Sequence, residues 1–325
     1  MSHLGGKYFQ VSVPTPHVYL IQVNRAPVNA FNESVWREYS KVFEKISLED
    51  DVRVIVLASG LDKLFTAGLD CKSAPYFVLC HGVDRTGIVV NSGLSAIPAS
   101  PVDAARAALH VGHHIKEFQH AIAAPERCPF PVIVAIHGLA LGLAIDMITA
   151  CDVRFAASNA SFSIKEADIG LAADIGTLAR LPKLTGNQSL VHELAYSTRP
   201  FSAAEAKELG LVSKVVEGGR QEVLNVALEL AKNIAEKSPV AVVGTKRLLL
   251  HARDNTVAGN LEYTVAWNAG MLQTAVSHPR LPMVEPVDLF LDQDIPEAVG
   301  AVMKKRKPAF KSLNVQTGIK ADAKL

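Results

Sequence analysis

Long apolar runs are missing from this sequence. No segment approaches the ~18 residues that a bilayer-spanning helix needs, so a membrane-embedded function is not expected. Charge of one sign is missing too. Thirty-three Lys and Arg stand against 32 Asp and Glu, a formal charge of +1. Without a basic excess, or a basic stretch interleaved with aromatics, the phosphate-neutralising footprint of a nucleic-acid binder is absent. The one dense basic run, Lys304 to Lys307, reads as a solvated tail. Cysteine is scarce: Cys71, Cys80, Cys128 and Cys151 form no C-x-x-C pair, which argues against a zinc site or a disulfide framework. His110, His113, His114 and His137 have no second cluster to complete a metal site, so no metal is expected. There is no G-x-G-x-x-G, P-loop or G-x-S-x-G, which removes the usual signatures of nucleotide binding and serine hydrolysis. Residues Met1 to Lys7 carry neither a signal-peptide apolar region nor a transit-peptide pattern.

What remains is a chain of 325 residues, 49% hydrophobic and 20% charged, sufficient for one large domain or a core with an appendage. Period-2 and period-3.6 patterns alternate through its first two thirds. Val18–Val23, Val52–Ala58, Val132–Ile136, Asp152–Ala156 and Ser161–Ile164 read as strands. Asn32 can cap a helix with a buried stripe of Val35, Tyr39, Val42, Phe43 and Ile46. Val111, Ile115, Phe118 and Ile122 form one face of a second helix, which stops at Pro125. From Ser202, a capping box followed by the helix stop Gly210, the chain turns helical, with one last strand at Leu211–Val216. Helices are expected over Val223–Ile234, Val240–Leu250 and Val257–Thr274. The fold class is α/β, divided into a core over 1–200, a helical region over 201–275 and an extension over 276–325. Residues 72 to 102 are loop-like, and loops of that length usually cover a site or are mobile.

Two glycine-bearing turns carry chemical interest, Phe65-Thr66-Ala67-Gly68-Leu69-Asp70 and His137 to Asp146. Such turns at helix starts direct backbone N–H groups outward, and two together can hold one oxygen. Tight connections needing Gly for steric reasons are the plainer reading. Three carboxylates follow in apolar company: Asp146, Glu166 and Asp174. Apolar neighbours make a carboxylate hold its proton more tightly, as acid–base work near neutral pH requires. Asp146 equally suits a helix dipole, Glu166 and Asp168 equally suit solvated loop charges, and Asp174 suits the N-cap of a helix over Ile175–Leu181.

These stretches resemble the enoyl-CoA hydratase/isomerase (crotonase) superfamily. The resemblance is carried by Phe65 to Asp70 with Ala135 to Gly142, by Ala150-Cys151-Asp152-Val153-Arg154, and by Asn24 to Phe31, which is similar to that family's N-R-P-x-x-x-N-A segment. It runs from about Tyr8 to Gln273. Within the superfamily, Lys165 to Thr177, followed by Arg180-Leu181-Pro182, is similar to the branch that isomerises Δ3,5-dienoyl-CoA to Δ2,4-dienoyl-CoA. The resemblance implies a spiral of repeated ββα units with C-terminal helices that trimerise, as a homotrimer or homohexamer, and an acyl-CoA thioester substrate in fatty-acid β-oxidation. It implies no cofactor. The family's oxyanion donors fall on the backbone N–H of Leu69 and Leu143, the latter to within about a residue. Its acidic positions fall on Asp146, Glu166 and Asp174, with Glu166 assigned to carbon 2 and Asp174 to carbon 6, or the reverse. Ala30, Ala67, Gly68, Leu69, Asp70, Cys71 and Ala144 are expected to contact the substrate. Ala323-Lys324-Leu325 resembles the S-K-L peroxisomal address, which implies an import receptor and a matrix location. A hydratase using Asp146 and Glu166, and a non-catalytic acyl-CoA-binding protein of the same fold, are the alternatives.

Overall fold

The computed structural model describes residues 3–70, 103–271 and 294–313. Cys71, the 72–102 loop and the tail Ala323-Lys324-Leu325 lie outside the described residues.

Strand β3 (Val54–Ser59) is buried at every position. Its side chains alternate between two cores: Ile55 and Leu57 enter one, Val54, Val56 and Ala58 the other. Burial on both faces is why this strand, and β5 (Val132–Ile136), read as unbroken apolar runs. They lie inside a six-stranded sheet ordered β1-β2-β3-β5-β7-β10, completed by β1 (Phe9–Thr15), β2 (Val18–Val23), β7 (Val153–Ala157) and β10 (Lys214–Val216). Every pairing in it is parallel except β1 with β2.

Each central strand is followed by a short strand of a second sheet. This sheet is ordered β4-β6-β8-β9, from β4 (Leu64–Thr66), β6 (Leu139–Leu141), β8 (Ser161–Ser163) and β9 (Phe201–Ser202). The chain therefore winds as β3-β4, β5-β6 and β7-β8, moving one place along both sheets with each turn. A helix follows each pair: α2 (Ala104–Ile122), then α4 (Leu143–Thr149), then α5 (Thr177–Leu184). This is the spiral of ββα units expected from the sequence.

Helix α1 (Glu33–Ser47) forms as expected, its first turn closed by Asn32, whose side chain accepts from Val35 N. Its stripe Val35, Tyr39, Val42, Phe43 and Ile46 is wholly buried. Helix α2 ends at Ile122, and Pro125 opens a separate short helix, α3 (Ala124–Arg127), where its missing N–H costs nothing. Helix α6 (Gln188–Ser197) leads to α7 (Ala203–Leu209), which starts at Ser202 and stops at Gly210 in the left-handed conformation. Only half of the expected capping box forms. Ser202 accepts from Glu205 N, but the Glu205 carboxylate turns to Arg199. Helix α8 (Arg220–Ala235) packs Val223, Leu224, Ala227 and Ala231 on the second core. Helices α9 (Pro239–Asp254), α10 (Val257–Met271) and α11 (Asp294–Met303) complete the C-terminal part. Among the described residues no helix is long and apolar enough to cross a membrane.

Candidate active site

The short strands β4 and β6 run parallel and deliver the two glycine turns side by side. At the first, the buried Thr66 hydroxyl donates to Asn29 O at 2.6 Å and accepts from Gly68 N at 3.0 Å. Phe31 N donates to Gly68 O at 2.8 Å, and Asp70 N donates to Phe31 O at 2.9 Å, which makes a parallel bridge at Leu69. In such a bridge the middle residue's own peptide groups face the other way, here away from Phe31. The first amide is thus presented by a bridge. Gly68 has φ +87°, and a side-chain carbon on it would lie 2.5 Å from Leu141 O and 3.4 Å from Leu143 N. Glycine is what lets the two turns approach this closely.

The second turn does open a helix. Gly142, φ +52°, caps α4, and its N–H donates to Ser163 O at 2.9 Å. Leu143 is the first helical residue, so its amide has no acceptor within the helix.

Leu69 and Leu143 line one cavity of about 100 Å³, together with Asp146, Glu166 and Asp174. Three carboxylates from three segments therefore share a space whose other walls include Phe118, Ile169 and Leu171. Each is displaced in the same direction. Asp146, 2% exposed, is pushed up to about 7 by burial and then by the charge of Glu166, against the pull of Thr177 N–H and Arg180. Burial also raises Glu166, opposed by backbone N–H groups and assisted by Asp174. Burial raises Asp174, opposed by its own N–H. Carboxyls with raised affinity for a proton suit both donation and acceptance near neutral pH.

The supports of the three differ. Glu166 sits in a 3₁₀ turn (Glu166–Ile169), and its Oε2 is buried with no hydrogen-bond partner among the described residues. A side-chain carbon at Gly142 would come within 3.2 Å of Oε1, so this carboxylate abuts the second amide turn. The 3₁₀ turn is tied down by Asp168, which accepts from Lys165 Nζ at 2.8 Å and Thr198 Oγ1 at 2.5 Å. Asp168 is a clamp on the surface, and Glu166 is not a solvated charge.

Asp174 does not cap a helix. Helix α5 begins at Thr177 with Gly176 at its N-cap, and Thr177 N donates to Asp146 Oδ1 at 2.6 Å. The capping carboxylate thus comes from the preceding helix, which leaves Asp174 free to face the cavity. Its backbone carbonyl is held by Gln119 Nε2 at 2.6 Å. Asp146 lies in the first turn of α4, but its oxygen serves α5.

Of the remaining substrate-contact expectations, Ala67 lines the cavity. Asp70 pairs with Arg25 at 2.8 Å, Ala30 O accepts from Arg25 Nη1 at 2.5 Å, and Ala144 is fully buried in the core. Sequence reasoning missed Asn29, whose amide at 0% exposure bonds Ser59 Oγ and Phe65 O and so fixes the first turn. It also missed Gln119 and the half-buried pair Arg180–Glu126. His137 is buried with Nε2 on Leu61 O at 2.8 Å. No cluster of three or more His, Cys, Asp or Glu that could hold a metal occurs among the described residues. A larger cavity of about 660 Å³ is lined by Arg154, Lys246 and Arg253 and by none of the three carboxylates. These three cations are already engaged: Lys246 with Asp152, Arg154 with Leu211 O, Arg253 with Glu126.

A spiral of ββα units holding two convergent amide turns over one buried and two half-buried carboxylates defines a class of thioester enzymes, and sequence comparison agrees. The profile of the enoyl-CoA hydratase/isomerase family matches residues 15–76 and 103–312, and the chain belongs to that family. It is similar to the mitochondrial Delta(3,5)-Delta(2,4)-dienoyl-CoA isomerase of Mus musculus, 41% identical over 91% of this chain and 80% of that protein. It is also similar to the peroxisomal enzyme of the same name from Arabidopsis thaliana, 38% identical over 91% of this chain and 93% of the relative. Among solved structures, the enoyl-CoA hydratase of Bacillus anthracis superposes with a TM-score of 0.72 at 27% identity, covering 94% of this chain and 99% of the other.

Proposed function

We propose that the protein isomerises Δ3,5-dienoyl-CoA to Δ2,4-dienoyl-CoA in unsaturated fatty-acid β-oxidation by a two-carboxylate proton shuttle. The observation that carries the reading is the third carboxylate. Water addition across one double bond needs two acid–base groups, whereas moving two double bonds needs proton transfer at two distant carbons. Asp174 supplies the second point in the same cavity as Glu166. The thioester oxygen is held between Leu69 N–H and Leu143 N–H. Glu166, beside the second amide turn, takes the proton from carbon 2, and the electron pair spreads over the dienolate onto that oxygen. Asp174, on the α2 side of the cavity, donates a proton to carbon 6. The carbon 2–3 and 4–5 double bonds form as the 3–4 and 5–6 bonds are lost, and the substrate neither gains nor loses atoms. Glu166 ends protonated and Asp174 ionised, and proton exchange of each with solvent water resets the site. Asp146 acts electrostatically, its charge keeping the other two in opposite protonation states.

No cofactor is needed. The C-terminal helical region is read as the trimerisation surface, giving a homotrimer or homohexamer. The core over 1–200, helical region over 201–275 and extension over 276–325 remain the proposed division. The peroxisomal relative and the Ala323-Lys324-Leu325 tripeptide favour a peroxisomal matrix enzyme recognised by an import receptor. The experiment is spectroscopic. With 3,5-octadienoyl-CoA the protein develops the strong ultraviolet band of a conjugated 2,4-dienoyl thioester. Hydration of crotonyl-CoA at an equal or greater rate would reverse the assignment, and binding without either reaction would make the protein a carrier.

A further inference from the structure

Behind Asp146, on the side away from the cavity, lies a second group of charges that the shuttle does not use. Glu126 of α3 accepts from Arg180 Nε of α5 at 2.7 Å and from Arg253 Nη2 of α9 at 2.5 Å. Burial alone would raise Glu126, but the bonds from Arg253 and Arg180 outweigh it and keep the carboxylate ionised. Glu126 engages only one edge of Arg180. The Nη1 of Arg180 is buried with no hydrogen-bond partner among the described residues. A buried donor left unpaired is costly, so its persistence needs an electrostatic reason.

The position of Nη1 supplies one. It packs directly on Gly176, so that any side chain there would collide with it. The same added carbon would lie 3.8 Å from Asp146 Oδ1. The guanidinium and the Asp146 carboxylate thus flank a single glycine. The first turn of α5 gives Asp146 two positive features, the Thr177 amide at 2.6 Å and the Arg180 charge beyond Gly176. The other titratable groups interacting with this cluster are Glu166 on the cavity side, Tyr39 from α1 and Cys151 just after α4. Burial holds Tyr39 well above its usual range and pushes Cys151 up to about 12, so both stay neutral at working pH. Arg180 is the cation that answers Asp146.

We propose that Arg180 is a positioning residue of this site: anchored by Glu126, its guanidinium holds Asp146 in the anionic form on which the division of labour between Glu166 and Asp174 depends. The proposal rests on the electrostatic role given to Asp146 above.

The test is the pH dependence of kcat for 3,5-octadienoyl-CoA in Arg180→Gln and Arg180→Lys. In the wild type the acid limb follows ionisation of Asp146. In Arg180→Gln the limb moves to higher pH by about one unit, so turnover near pH 7 falls ~5-fold and recovers to within ~2-fold of wild type near pH 9. KM changes by less than ~2-fold, because Arg180 does not touch substrate. Arg180→Lys keeps the charge but cannot serve Glu126 and Asp146 together, and its limb lies between the two. If Arg180→Gln does not fold, the Lys variant alone decides, with an alkaline displacement expected. A loss that is uniform at every pH, or one confined to KM, overturns the proposal. Failure of the underlying reading looks different: Glu166→Gln in the wild-type background would then keep its turnover whatever the Arg180 variants do.

Discussion

Glu166→Gln lowers turnover of 3,5-octadienoyl-CoA by about 10³-fold and abolishes exchange of the carbon 2 hydrogens with solvent, whereas Asp174→Asn suffers a similar loss of turnover but keeps the exchange. Both substitutions preserve shape and remove only the ability to carry a proton. They separate because of where the two groups stand. Glu166 abuts the amide turn proposed to hold the thioester oxygen, which puts carbon 2 within its reach, and among the described residues Oε2 has no partner to relinquish before it accepts a proton. Asp174 lines the same cavity with its carbonyl held from α2 by Gln119, and is the group proposed to serve carbon 6. With Asp174 disabled, dienolate still forms and is reprotonated at carbon 2 by Glu166, which has meanwhile exchanged with solvent. Proton NMR of the recovered substrate after incubation in D2O reads this directly. The opposite pattern would interchange the two roles. Near-normal turnover in both variants would make the carboxylates structural.

Asp146→Asn stabilises the folded protein while impairing it as a catalyst. In the native state Asp146 is raised from its ordinary value of 3.8 to about 7, chiefly by burial. A group whose affinity for a proton is higher folded than unfolded contributes most stability below its unfolded pKa, and that contribution is lost as pH climbs toward the folded value. Between about pH 4 and pH 7 the wild type therefore falls progressively behind an uncharged Asn, and above about pH 7 the deficit is complete. Its size is of the order of 4 kcal/mol, since each of about three units of displacement corresponds to roughly 1.4 kcal/mol. Asn can still accept from Thr177 N, so the start of α5 is not lost. Denaturant unfolding near pH 8 and again near pH 5 checks the sign. The Asn variant is the more stable at both, by a wider margin at pH 8. A less stable variant at pH 8 would mean that the Asp146 charge supports the fold. Such a buried carboxylate is a stability deficit retained where function needs it.

The parts of this architecture that were legible from sequence are those set by neighbours along the chain. Strands β3 and β5 announce themselves because burial on both faces requires apolar side chains at every position. Helix α1 does so through Asn32 and a stripe at helical spacing. The three-residue strands β4 and β6 are too short for a periodic signal, yet they bring the two amide turns together. Asp174 shows how local reasoning goes astray. The nearest upstream carboxylate looked like the cap of the following helix, but the true acceptor, Asp146, lies 31 residues before the amide it binds. Arg180 and Glu126 are 54 residues apart, and nothing in either one's surroundings along the chain pairs them. The carboxylates themselves stood out because charge in apolar sequence is unusual, which is also the physical reason for their raised proton affinity.

One labelling measurement bears most directly on whether two groups, and not one, move the proton. Substrate deuterated at carbon 2 is turned over by the wild-type enzyme in ordinary water, and the hydrogen arriving at carbon 6 is identified by NMR of the 2,4-dienoyl product. With Glu166 removing one proton and Asp174 delivering another, carbon 6 receives hydrogen from solvent and no deuterium from carbon 2. Substantial deuterium at carbon 6 would show that a single group carried the label across, contradicting the division of roles between Glu166 and Asp174.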